Sequence, residues 1–109
     1  VGPTVTVAPI RDGLWVVRPV GEFDAQTLEG LKEACRQAVA EPGLERLVLD
    51  LRGVSFADSS FLNLLLTLRI QCDLLLWGPL PPRLTRLLKI TGARELFAVE
   101  DGPDEPSAD

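Results

Sequence analysis

The chain has no histidine. A serine nucleophile would therefore lack the imidazole base of a triad, and Ser-Lys chemistry would require Lys32 or Lys89 to arrive from elsewhere with a depressed pKa. No enzyme is expected. No Gly-rich phosphate-cradling loop and no clustered set of metal ligands occurs, so an ATPase or metalloenzyme has no support and no cofactor is implied. Cysteine is scarce. Cys35 and Cys72 lie in apolar stretches without CxxC spacing, and they read as free, buried thiols in a reducing compartment. Clustered basic charge is missing too: the 11 Lys and Arg residues are scattered among 16 Asp and Glu, for a formal net charge of −5, so nucleic acid is not an expected partner. A membrane-spanning run is also lacking, because the apolar stretch Leu62 to Trp77 is broken by Arg69 and Asp73. The expectation is a cytoplasmic protein with neither membrane nor nucleic acid among its partners.

What remains is an ordinary globular composition, 46% hydrophobic and 25% charged, in 109 residues. That length buries one core and is too short for two. Val5 to Ile10 and Leu14 to Val20 flank the turn pair Asp12-Gly13 and read as a β-hairpin. Asp24 then offers a carboxylate cap to a helix whose apolar residues Leu28, Leu31, Cys35, Ala38 and Val39 recur at helical spacing until Pro42-Gly43. Leu47 to Leu51 is short and apolar, as a central strand covered on both faces would be.

After Asp58-Ser59-Ser60 comes the leucine-rich helix FLNLLLTLRIQ, and Leu74 to Trp77 gives another buried strand. Pro79, Pro81 and Pro82 precede a third helix that Gly92 ends, and Leu96 to Val99 forms a last strand. The fold class is thus α/β: a mixed β-sheet of four to five strands with helices packed against it, over residues 1–100. Residues 101–109, acidic and without apolar periodicity, read as a disordered tail.

The junction most suited to function is LVLDLRGVSFADSSFL, an apolar strand, a loop, and Asp58-Ser59-Ser60 opening a helix. In an open α/β sheet such a loop lies at the rim where ligands and partners bind, and a hydroxyl there is accessible. One of the three residues can equally serve as a plain helix cap.

The string VSFADSSFLNLLL after LVLDL resembles the signature of STAS domains of the anti-sigma-factor antagonist family. Gly21-Glu22-Phe23-Asp24 and LTRLLKITGARELFAV resemble two further segments of that family, so the resemblance runs from about Leu14 to Glu100. It implies a single STAS-like domain and places the phosphorylation site at Ser59. The implied partner is a serine-kinase anti-sigma factor, bound by the unphosphorylated form, with Asp24, Asp58, Ser60 and Phe61 at the partner-binding surface. A homodimer is a further expectation.

Two features depart from the pattern. Phe61 stands where the family usually has Gly, so its ring either blocks the partner, anchors a different one, or turns inward. The helix after it is also shortened, and its apolar residues exceed one core-facing stripe, which implies either an exposed face or burial between the sheet and a neighbouring helix. Both departures support an alternative: a STAS module that is never phosphorylated, either a scaffold or transporter-associated subunit or a binder of a small apolar ligand.

Overall fold

Turn chemistry and period-two alternation set the first hairpin. Asp12 and Gly13 reverse the chain between β1 (Thr4–Arg11) and β2 (Leu14–Phe23), which pair antiparallel from Thr4↔Val20 to Arg11↔Leu14. The computed structural model describes residues 2–103. After the hairpin come α1 (Glu29–Val39), β3 (Arg46–Asp50), β4 (Val54–Ala57), α2 (Ser59–Gln71), β5 (Leu74–Gly78), α3 (Pro82–Thr91), a 3-10 turn (Arg94–Leu96) and β6 (Ala98–Asp101). Strand order is β1-β2-β3-β5-β6, with β4 also pairing β2, and every pairing except β1 with β2 is parallel. The expected mixed sheet is present, with β3 in its middle.

The sheet has six strands where the sequence suggested four to five. The additional strand is β4, which reads as a loop because four residues are too few to show a period. It forms because β2 changes partner along its length. Leu14 to Val17 pair with β3, the register shifts between Gly21 and Glu22, and Glu22 and Phe23 pair with β4. Gly21 has a φ of 116°, a backbone conformation that a side chain would strain, so glycine permits this bend.

Alternation then divides the sheet into two faces. Val17, Leu47, Leu49, Leu74 and Leu76 join the main core with the helices, whereas Val16, Val48 and Leu75 form a smaller cluster with Leu14 and Trp77 that contains no helical residue. On the helical face α1 buries Leu31, Cys35 and Ala38, and α3 buries Leu84 and Leu88. Helix α2 buries Phe61, Leu62, Leu64, Leu65 and Leu68, more than one stripe, because it touches α1, α3 and β4. The broad apolar surface of α2 is therefore inside. Ile70, near its end, is the exception at 81% exposure.

Three other boundaries differ from expectation. Asp24 does not cap α1 itself, because a turn of four residues intervenes before Glu29. The last strand begins at Ala98 rather than Leu96, since the 3-10 turn carries the chain to Phe97, whose ring enters the core. Order also continues past residue 100. Asp101 pairs with Gly78, the Gly102 N–H donates to the Gly78 carbonyl at 2.9 Å, and the Pro103 carbonyl accepts from Arg52 at 2.6 Å. The remainder of the proposed acidic tail, residues 104–109, lies outside the described residues.

Cys35 is buried and Cys72 half-buried, and both are free thiols. Burial, with a smaller contribution from nearby Cys72, pushes the Cys35 thiol up to about 12. Among the described residues no helix is long and apolar enough to cross a membrane.

Candidate functional site

Two parallel strand ends build the rim. Phe23 and Ala57 are register partners in β2 and β4, so the residues that follow them, Asp24 and Asp58, leave the sheet side by side at the same edge. Each carboxylate then organises the turn after it. Asp58 has extended backbone geometry and its Oδ1 accepts from the N–H of Ser60 at 2.9 Å and of Phe61 at 3.4 Å, a side-chain N-cap. Asp24 Oδ1 accepts from the N–H of Gln26 and of Thr27, each at 2.9 Å, while the Thr27 hydroxyl accepts from the Asp24 N–H at 3.0 Å. These bonds, Thr27 first and Gln26 next, hold the exposed Asp24 carboxyl below its usual range.

Next to the Asp58 cap Ser59 is exposed, and its hydroxyl makes no hydrogen bond to another described residue. Ser60, half-buried, is the residue whose N–H Asp58 takes. Asp24, Asp58, Ser59 and Ser60 thus share one rim. Phe61 does not. Its side chain is fully buried and meets Phe23 edge to face, ring centroids 6.0 Å apart. The expectation of a partner-binding Phe61 is corrected here: the first turn of α2 directs position 61 at the end of β2, and the aromatic pair excludes it from the surface.

Sequence reasoning missed a neighbour of this rim. Arg83, at the start of α3, lies over the half-buried Phe56 ring, 4.9 Å from its centroid, and Phe56 stands three residues before Ser59. No local spacing signals a contact between residues so far apart in sequence.

A second polar cluster occupies the helix-free face. Asp50, 1% exposed at the end of β3, accepts from Arg18 Nε at 2.8 Å and from Arg52 at 3.0 Å through both Nε and Nη2. Arg52 also lies over the Trp77 ring at 5.8 Å and holds the Pro103 carbonyl. The Asp in LVLDL, a carboxylate inside an apolar strand, was the available signal for it. Elsewhere, a groove between α1 and α2 has Cys35, Leu64 and Leu68 in its floor and Lys32, Asn63 and Thr67 at its rim. Among the described residues no group of carboxylates and thiols is placed to hold a metal ion.

Comparison with known proteins bears on the fold. A family model for the STAS domain matches residues 6–105. A crystal structure of an anti-sigma factor antagonist from Mycobacterium paratuberculosis is similar at 27% identity and a TM-score of 0.77, covering 93% of this chain and 87% of that one. The fold is also shared with the Bacillus cell fate determinant SpoIIAA in its phosphorylated form, at 18% identity and a TM-score of 0.71 over 93% of both chains. Unphosphorylated SpoIIAA is similar at 17% identity and a TM-score of 0.68, covering 92% of this chain and 90% of that one.

Proposed function

This chain belongs to the STAS domain family, and from that premise we propose that it is an anti-sigma factor antagonist whose binding to a serine-kinase anti-sigma factor is switched off by phosphorylation of Ser59. One observation carries the reading. An exposed serine, its hydroxyl without a hydrogen bond to another described residue, follows the Asp58 cap at the rim where β2 and β4 end.

The caps give the switch its physical character. Asp58 already accepts from the N–H groups of Ser60 and Phe61, so a phosphate on Ser59 gains little from the helix terminus. It adds about −1.5 to −2 charge beside Asp58, at the rim that Asp24 shares. The fold survives, because the cap and the core below it are untouched. A partner surface shaped for a neutral hydroxyl would have to desolvate a dianion among carboxylates, and its affinity falls.

The rival reading, an unphosphorylated scaffold, rested on Phe61 and on the shortened, broadly apolar α2. Phe61 is buried and obstructs nothing at the surface, and most of the apolar side chains of α2 are interior. The test is incubation with ATP and a kinase-type anti-sigma factor from the same genome, followed by intact mass. A single added phosphate that disappears in Ser59→Ala is expected. An unmodified protein, or a phosphate that persists in Ser59→Ala, would refute the switch.

A further inference from the structure

The search for function away from Ser59 leads to α3. Its sequence, PRLTRLLKIT, carries Arg83, Arg86 and Lys89 and no acidic residue, in a chain whose net charge is −5. The exposed cations of α1 show the usual arrangement: Lys32 pairs with Glu29 and Arg36 with Glu33. On α3 none of the three cations has an ion-pair partner among the described residues, and the one close contact is the stacking of Arg83 on Phe56.

Helical spacing aligns these groups. Leu84 and Leu88 face the core, so Arg83, Arg86 and Ile90, at i, i+3 and i+7, run along the opposite side. Ile90 is 74% exposed, and Leu87 is half-buried next to it. Pro82, Arg83, Arg86, Leu87 and Ile90 line one shallow, solvent-open depression. Apolar side chains bordered by unpaired cations match a ligand that carries carboxylates around an apolar strip.

We propose that the outer face of α3 is a docking surface for an acidic, amphipathic helical segment of a protein partner. Charge complementarity selects this occupant: the local charge is positive and the overall charge negative, which disfavours a polyanion as extended as a membrane surface or a nucleic acid duplex. A short acidic helix would contact α3 alone. The surface stands independently of whether Ser59 is modified, and through the Arg83–Phe56 stack it reaches the strand that leads to Ser59.

The test uses a synthetic amphipathic helical peptide with one Glu face and one Leu face, titrated into isotopically labelled protein. The comparison protein is the triple variant Arg83→Ser, Arg86→Ser, Lys89→Ser, whose fold is checked by circular dichroism. Amide shifts concentrated in residues 82–91 are expected, with affinity reduced about tenfold in the variant and by added salt. Ser59→Ala should bind the peptide like the parent protein, so failure here is distinguishable from failure of the switch. Absence of shifts in α3, or equal binding by the triple variant, would overturn the proposal. Tighter binding to phosphatidylglycerol vesicles or duplex DNA than to the peptide would overturn it as well, in favour of that polyanion. Should the triple variant not fold, Ile90→Ser alone serves, and unchanged affinity there would count against the surface.

Discussion

At the scale of single residues, Asp58 and Ser59 divide the labour that their adjacent positions made ambiguous in sequence. Asp58 holds the orphan N–H groups of α2, and the neighbouring hydroxyl remains in solvent. Asp58→Ala should therefore cost about 1 kcal/mol of stability, the usual worth of an N-cap, while Ser59→Ala should cost far less. Urea denaturation of the two variants against the parent checks this, and equal losses would show that the cap is shared. That a cap lies in the Asp58-Ser59-Ser60 turn was legible because such residues precede a leucine-rich run; which of the three serves was not. From local spacing Asp24 reads as a cap of α1; that it closes a separate turn ahead of α1 depends on Thr27 bonding back to it.

Among elements, α2 shows where periodicity stops being informative. Leucines on several sides of a helix are compatible with a greasy surface and with a helix enclosed on several sides, and α1, α3 and β4 enclose this one. Phe61 belongs to the same account. Its ring fills the space against Phe23 that a Gly would leave empty, so Phe61→Gly should destabilise the protein by roughly 3–5 kcal/mol, through the cavity and through backbone freedom at the helix start. Urea or thermal unfolding measures this. A loss below about 1 kcal/mol would mean that the site collapses or that the ring contributes little. The bend of β2 at Gly21 is the other feature decided between elements: β4 exists as a strand because that bend brings Glu22 and Phe23 alongside it.

For the whole molecule, the buried carboxylate of Asp50 ties β2, β3 and the segment at Pro103 together through Arg18 and Arg52. Burial alone would raise its carboxyl above the ordinary 3.8, but hydrogen bonds from Arg52 and then Arg18 outweigh it and hold the value lower. A depressed carboxyl contributes stability that is present above 3.8 and is lost as pH falls through the folded value. Asp50→Asn should accordingly lower stability near neutral pH by roughly 1–3 kcal/mol, moderated because Arg18 and Arg52 reach solvent. The parent and variant curves should draw together as pH falls below 3.8 and meet only below the lower, folded value. Denaturation followed across acidic pH tests it, and parallel curves would refute the assignment.

The sequence by itself determined the α/β class, the order of the strands and helices recognised in it, and the Asp-Ser-Ser turn, because turn residues, caps and apolar period act over a few neighbours. Tertiary structure alone decided that Phe61 faces inward, that α2 is enclosed, that Arg83 stacks beside the serine rim and that Asp50 is paired across strands. Each of those depends on which segments, far apart in the chain, become neighbours, and that information is carried by packing rather than by local spacing.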